Sequence, residues 1–485
     1  MDNLSSIQYF LPEFLIILLA LAVILFDLLS FKKWINPLLL LGFVFIALLL
    51  YQLPKNGGFI FNNMLINDSF SYFFKWIIFI STFSIILVSN YSKELDIEYK
   101  SEYNALLLFV LLGMFLMTNS VDLLMIYLSI ELVSIPSYIL AGITKNDKKS
   151  NEASLKYVIF GSFASGLMLF GLSWLYGISG STNIYEIYHA ISSTDSPYML
   201  YMSLMLILIG FGYKISMAPM HYWTPDVYEG SPTTVTAFFS VAPKAAGFAI
   251  LIRTFSILFT SENSLSENLS SIANINWTLI IAVLSAVTMS IGNLLALKQD
   301  NVKRMLAYST ISHVGFMLMA FAIISPDAIR AIMLYLFIYL FMNLAAFYMA
   351  IFASNKLNAH HIKDWKGMGK MNPILSFFMT LTLLSLTGLP PTAGFVGKVY
   401  VFAELFKHQQ FYWLAVVAIL NSVVSLYYYF KIVKSMYLDH VEGVIDKITA
   451  HPVVNWSIII FSAQNILFFI YWEPLVGFID KSISF

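Results

Sequence analysis

Runs of roughly 20 apolar residues, parted by short polar or Gly/Pro-marked gaps, recur along almost the whole of this 485-residue chain. Inside a bilayer the backbone must satisfy its own hydrogen bonds, so segments of this kind fold as spanning helices. The composition agrees: 59% hydrophobic, 11% charged and a mean hydropathy of +0.78 exclude a soluble globular domain. Net charge is zero and no block of like charge points to a nucleic-acid partner. Without cysteine the chain has no disulfide, thiolate metal site, iron–sulfur cluster or thiol nucleophile. HExxH, Walker A and GxGxxG motifs are missing too, so no metal-binding or cofactor-binding residue is expected.

Counting the runs gives about fourteen spans, at 9–29, 36–53, 70–90, 102–118, 120–143, 153–178, 199–225, 232–256, 275–297, 301–324, 328–353, 373–407, 411–435 and 453–475. The expected fold is an all-α polytopic membrane protein forming one membrane domain over 1–485. It divides into an N-terminal three-helix segment (1–101), a first five-helix repeat (102–256), a second (275–435) and a C-terminal helix (453–475). The first run contains Glu13 and Asp27 and lacks a basic n-region and a small-residue cleavage site, so it reads as a retained helix. Segments 54–69, 179–198 and 257–274 are the sizeable loops.

Basic residues outside span interiors sort by side. One face collects 17, including Lys32, Lys33, Lys145, Lys148, Lys149, Arg304, Lys363 and Lys447, and the other has Lys55, Arg253, Arg330, Lys407 and Lys481. The richer face is cytoplasmic by the positive-inside rule, which puts both termini on the periplasmic side or its equivalent.

Two spans depart from simple helix. The seventh runs from Ile207 through Lys214 into Ala218-Pro219-Met-His221, and the twelfth carries Thr387-Gly-Leu-Pro390-Pro391-Thr-Ala-Gly394 ahead of Lys398. Proline removes an amide donor and clashes with the preceding turn, so each helix should break at membrane depth. Broken backbone is tolerated there only inside protein or beside a water-filled cavity. The breaks lie five helices apart, so spans 4–8 and 9–13 would have opposite orientation, the layout of an inverted-repeat transporter.

Four ionisable groups sit near the middle of spans: Glu131, Lys214, Lys244 and Lys398. Each is costly in hydrocarbon and marks a polar pathway through the helices. A Glu131–Lys214 pair would keep both groups ionised, and separating them would push each towards neutrality, which makes a proton switch. The alternative is a static ion pair locking helices together. Lys244, flanked by Pro243, Ala245, Ala246 and Gly247, is too central to snorkel, and Lys398 follows the twelfth break, where freed carbonyls can stabilise changing charge. His313 is mid-span beside Ser309, Thr310 and Ser312, either a proton relay or a satisfied interhelical hydrogen bonder. His221 and Asp226 are placed at the cytoplasmic end of the seventh span, and Glu404 near the periplasmic exit. Lys75 and Lys156 lie close enough to span ends to snorkel.

The stretch Lys214-Ile-Ser-Met-Ala-Pro-Met-His-Tyr-Trp-Thr-Pro-Asp-Val-Tyr-Glu-Gly-Ser-Pro-Thr-Thr, with Ser150-Asn-Glu-Ala-Ser-Leu-Lys-Tyr and Gly388-Leu-Pro-Pro-Thr-Ala-Gly-Phe-Val-Gly-Lys-Val-Tyr, resembles the subunit N family (NuoN/NdhB) of the NADH:quinone oxidoreductase, respiratory complex I. The resemblance covers nearly the whole chain. It implies a proton-translocating, antiporter-like membrane subunit of a translocase, with Glu131 and Lys214 as coupling pair, Lys244 as central relay, His313 as relay histidine and Lys398 as terminal lysine. It also implies that FMN, iron–sulfur clusters and quinone belong to partner subunits, and that the neighbours are M-like and K/J-like membrane subunits and a peripheral arm. The expected location is the cell inner (cytoplasmic) membrane, with the thylakoid membrane as alternative. A Mrp-type cation/proton antiporter subunit is a different reading of the same broken spans. A purely structural scaffold fits poorly with four ionisable groups at mid-membrane.

Overall fold

Helix is the one local structure that these apolar runs can sustain, and the computed structural model is built almost wholly from it. It describes residues 3–54, 58–191, 197–259, 276–440 and 446–483. Lys55, most of the 257–274 loop and part of the 179–198 loop lie outside the described residues. The helices are α1 (Asn3–Tyr9), α2 (Leu11–Leu28), α3 (Lys32–Gln52), α4 (Ser69–Ser89), α5 (Lys100–Asn119), α6 (Leu123–Ala141), α7 (Lys148–Ser179), α8 (Ile184–Ile191), α9 (Pro197–Ile215) and α10 (Trp223–Gly230). They continue with α11 (Thr233–Phe259), α12 (Trp277–Ala296), α13 (Val302–Phe321), α14 (Pro326–Leu357), α15 (Met368–Met371), α16 (Pro373–Thr387), α17 (Ala393–Phe406), α18 (Tyr412–Tyr437), α19 (Pro452–Ile470) and α20 (Glu473–Asp480). A small antiparallel hairpin, β1 (Gly58–Ile60) with β2 (Leu65–Asn67), fills the first loop.

Twelve of the described helices are long and apolar enough to cross a membrane. α13 adds 20 residues, all but Arg304 buried, and α16 and α17, at 15 and 14, are two half-helices joined over 388–392. Every span expected from the apolar runs therefore has a helical counterpart. Helix starts are set by side chains that accept otherwise unpaired amides: Asp68 takes the Ser71 N–H at 2.8 Å, Asp122 that of Leu124 at 2.9 Å and Ser325 that of Ala328 at 3.0 Å.

Two helices form the centre. α11 is buried along its whole length, α14 along nearly all of it, and the two pack on one another. The outer helices α2, α3, α7 and α18 present Leu21, Leu25, Phe45, Phe163, Leu420 and Val423 to the surroundings, as a lipid-facing or subunit-facing perimeter must. Close approach uses glycine: a Cβ on Gly315 of α13 would lie 2.5 Å from the Met289 amide of α12.

The structure revises two placements. Lys75 does not reach an interface: it is fully buried and its Nζ lies 2.6 Å from Glu13 Oε1, an ion pair joining α4 to α2. The Phe115 ring lies 5.7 Å from the ammonium. Arg253, counted on sequence grounds among residues outside the spans, is likewise fully buried, with both guanidinium ends on Asp68 at 2.8 Å and Nε on the Thr118 carbonyl.

Candidate functional site

Both proline-containing segments break their helices. α9 stops at Ile215, Ser216 takes a left-handed conformation (φ 66°), and helix resumes as α10 at Trp223. α16 stops at Thr387, Gly388 is left-handed (φ 84°), and α17 begins at Ala393. A helix end leaves carbonyls without amide partners and carries the negative end of the helix dipole.

At each end a buried ammonium fills that deficit. Lys244 Nζ, from α11, donates to the Ile215 carbonyl at 3.3 Å and the Ser216 hydroxyl at 2.6 Å. Lys398 Nζ, from α17, donates to the Thr387 carbonyl at 2.7 Å and the Ser422 hydroxyl at 3.1 Å. Aromatic faces complete the shells: Trp223 and Tyr228 lie 5.8 and 5.9 Å from Lys244, and Phe316 lies 4.3 Å from Lys398. Gly388 is needed both for its backbone conformation and for space, since a Cβ there would sit 2.6 Å from Lys398 Cδ.

Lys214, in the last turn of α9, is buried and donates to Ser134 Oγ at 3.0 Å. Ser134 lies one turn along α6 from Glu131, whose buried Oε1 has no hydrogen-bond partner among the described residues. Lys214 and Glu131 thus form no direct ion pair, and the serine stands at the lysine in the carboxylate's place. The stem of Lys214 runs close to Gly247, one turn from Lys244 on α11, so both lysines border the same break.

His313 of α13 is buried, with Tyr335 Oη 2.7 Å from Nδ1 and Tyr429 Oη 3.3 Å from Nε2. Tyr429 in turn shares a hydrogen bond with Ser309. The structure therefore collects the five sequence-chosen residues into two groups, Glu131, Lys214 and Lys244 at the first break and His313 and Lys398 at the second. The first break is tied to the second half where Ala218 N donates to Thr288 Oγ1 of α12 at 3.0 Å.

Other chosen residues settle differently. His221 is buried in the segment between α9 and α10. Asp226, on α10, joins Lys156 at 2.6 Å and Arg304 at 2.7 Å, while Glu229 joins Arg304 at 3.0 Å and Lys149 at 3.2 Å. Beside this cluster a cavity of about 410 Å³ is lined by Glu94, Glu229, Lys149, Lys303 and His360. Burial works to raise the Glu94 carboxyl, but the Lys303 ammonium and hydrogen bonds from Ser354 and Thr233 outweigh it and hold the group below its usual range. Glu404 accepts from Ser325 at 2.7 Å and pairs with Lys407 at 2.7 Å. Among the described residues no group of three or more His, Cys, Asp or Glu is placed to hold a metal.

Sequence reasoning missed Ser134, Ser216, Ser422, Tyr335 and Tyr429. The serines at 134 and 216 stand within three residues of chosen groups and were findable; Tyr335 and Tyr429 are two of 28 tyrosines with no local mark.

A bundle with two broken helices, each capped by a buried lysine, defines an ion-translocating membrane protein of the antiporter-like class. Residues 120–425 match the family model described as NADH:quinone oxidoreductase/Mrp antiporter, TM, and the chain belongs to that family. It is 38% identical to the NADH-quinone oxidoreductase subunit N of Anaeromyxobacter sp. (strain Fw109-5), covering 100% of this chain and 98% of the relative. Among solved structures it resembles a chain of respiratory complex I from Thermus thermophilus (26% identity, TM-score 0.77, covering 96% and 98% of the two chains). A chain of the Mrp complex from Dietzia sp. DQ12-45-1b shares the fold at 20% identity (TM-score 0.78, covering 100% and 97%).

Proposed function

We propose that this chain is the antiporter-like, proton-translocating subunit of an NADH:quinone oxidoreductase, moving protons outward while partner subunits carry electrons from NADH to quinone. The observation that carries the reading is the pair of buried ammonium groups, Lys244 and Lys398, each held on the open end of a broken helix by one carbonyl and one serine hydroxyl. Such a group is neither locked in a full ion pair nor left bare, so it can give up and regain a proton without rebuilding its shell.

In this reading Lys214 toggles between Ser134 and Glu131. Moving onto the carboxylate favours its charged form, and moving back to the serine releases a proton towards Lys244. Moving one charge against about 100 mV costs roughly 2.3 kcal/mol, equal to a pKa change of under about two units. A modest rearrangement of one lysine pair therefore suffices energetically. Protons are taken up on the basic-rich face, near the cavity by Glu94, pass Lys244 and His313, and leave from Lys398 on the Glu404 side. The two groups belong to inverted five-helix repeats, α5–α11 and α12–α18. FMN, iron–sulfur clusters and quinone reside in partner subunits, the neighbours are M-like and K/J-like membrane subunits, and both termini face the periplasm of the cell inner membrane.

The likeness to the Mrp complex concerns fold, and no residue contact favours that alternative. The test is Lys244→Met and Lys398→Met in the assembled, vesicle-reconstituted complex, with NADH-driven proton pumping measured. Loss of pumping is expected; full pumping per electron with the subunit present would reject the relay.

A further inference from the structure

The two tyrosines on His313 have no role in the reading so far. We infer that Tyr335 and Tyr429 form, with His313, a hydroxyl–imidazole–hydroxyl proton wire that delivers protons to Lys398, and that these phenols are relay groups and not packing alone.

Both nitrogens of a fully enclosed imidazole face a phenol, Nδ1 to Tyr335 at 2.7 Å and Nε2 to Tyr429 at 3.3 Å. A neutral imidazole has one donor and one acceptor, so the two phenols must take opposite parts, one giving a hydrogen bond and the other receiving it. That polarity makes a directed chain. Tyr429 already meets a further hydroxyl, Ser309, one turn from His313 on the same helix. Tyr335 lies on the other side, its ring against Gly397, where a Cβ would stand 2.7 Å from Tyr335 Cδ2; Gly397 immediately precedes Lys398. The outer helix α18 borders both ends. Ser422, which receives the Lys398 ammonium, and Tyr429 are seven residues apart, two turns on one face of that helix.

The transfer balances. A proton arriving at the Tyr429 oxygen releases that phenol's own proton to Nε2. Nδ1 passes its proton to the Tyr335 oxygen, and Tyr335 gives its original proton onward to the neutral Lys398 amine. Each oxygen loses one proton as it gains one, so no phenolate is left and no electron moves; the imidazole ends with its proton on Nε2, and reorientation of the ring together with rotation of the hydroxyls resets the chain.

This inference rests on the proton-relay reading of Lys398. Tyr335→Phe and Tyr429→Phe remove a hydroxyl and keep the ring, and each is measured in the whole complex after checking that partner subunits co-purify. Proton pumping coupled to NADH oxidation is expected to fall about tenfold or more in each variant, with a raised solvent deuterium isotope effect, which a packing role would not move. Wild-type pumping and isotope effect in both, or a loss confined to one, overturns the wire. Lys398→Met run alongside separates the two ideas: if it stops pumping while both phenylalanine variants pump normally, only the wire fails. Should a phenylalanine variant not assemble, fluorotyrosine at the same position keeps shape and hydroxyl but lowers its basicity. The wire then requires a shift of the pH–rate profile, and an unmoved profile counts against it.

Discussion

The two helix breaks reach one electrostatic solution by different chain routes. At the second, the capping lysine is supplied from within the same span: Lys398 lies 11 residues after Thr387, on α17. At the first it comes from the following span, Lys244 on α11, 29 residues after Ile215. In the sequence both Lys214 and Lys398 flank a break, but Lys214 precedes its break and Lys398 follows its own. By geometry the counterpart of Lys398 is Lys244. Lys214 is an extra cation of the first half, set against Ser134 and near Glu131, whereas the second half has the imidazole of His313. A lysine with a carboxylate within reach suits a group driven by displacement. A lysine served by an imidazole and phenols suits onward delivery.

Anchoring differs as well. Among the described residues the ion pairs buried on both partners, Glu13–Lys75 and Asp68–Arg253, lie among α2, α4 and α11 on the side of the first break. Arg253→Met leaves Asp68 charged without its partner, so a loss of about 3–5 kcal/mol is expected, seen as a lowered denaturation midpoint of the purified complex. If the first half is the more tightly anchored, its pumping step should suffer with it; an unchanged midpoint would remove this part of the contrast.

Gly388→Ala probes the second break alone. A residue forced into a left-handed conformation costs on the order of 1–3 kcal/mol, and the added Cβ would press on Lys398 Cδ. Pumping should fall more than stability, and a stable, fully active variant would mean that Lys398 is not held as described. Ser216→Ala and Ser422→Ala remove the matching hydroxyls, at roughly 1 kcal/mol each. Equal decreases in pumping rate would support the equivalence of Lys244 and Lys398, and a decrease at one break only would end it.

The smallest effect concerns pH at the basic-rich face. Glu94, in the loop between α4 and α5, is held below its ordinary value, with burial opposing and Lys303, Ser354 and Thr233 prevailing. A carboxyl with a depressed folded-state pKa contributes stability above its unfolded value, and that contribution is lost as pH falls through the folded value. Wild-type stability should therefore decline on acidification below the ordinary carboxylate range more than that of Glu94→Gln. Parallel pH curves would show that Glu94 does not tie the α11 and α14 ends together.

Much of the candidate site was legible in the chain. Glu131, Lys214, Lys244 and Lys398 stand out because a charge in the middle of an apolar run has few inexpensive explanations. Ser134 is one turn from Glu131 and follows from helical spacing. Lys75 was misplaced because distance to a span end says nothing of what surrounds it, and here Glu13 on another helix does. Tyr335 and Tyr429 were out of reach, since an aromatic in a membrane helix is ordinarily core or interfacial belt.

What the sequence by itself determined is local: where helices run, because apolar length and backbone hydrogen bonding allow nothing else, and which two of them break, at the proline-containing stretches 216–222 and 388–392, whereas the lone prolines Pro37, Pro136 and Pro243 are accommodated inside continuous helices. What only the tertiary structure decided is who meets whom. Ile215 meets Lys244, His313 sits between two phenols, and Lys214 rests on Ser134 and not on Glu131, because each contact depends on how helices distant in the chain cross, a matter of packing that no neighbouring residue encodes.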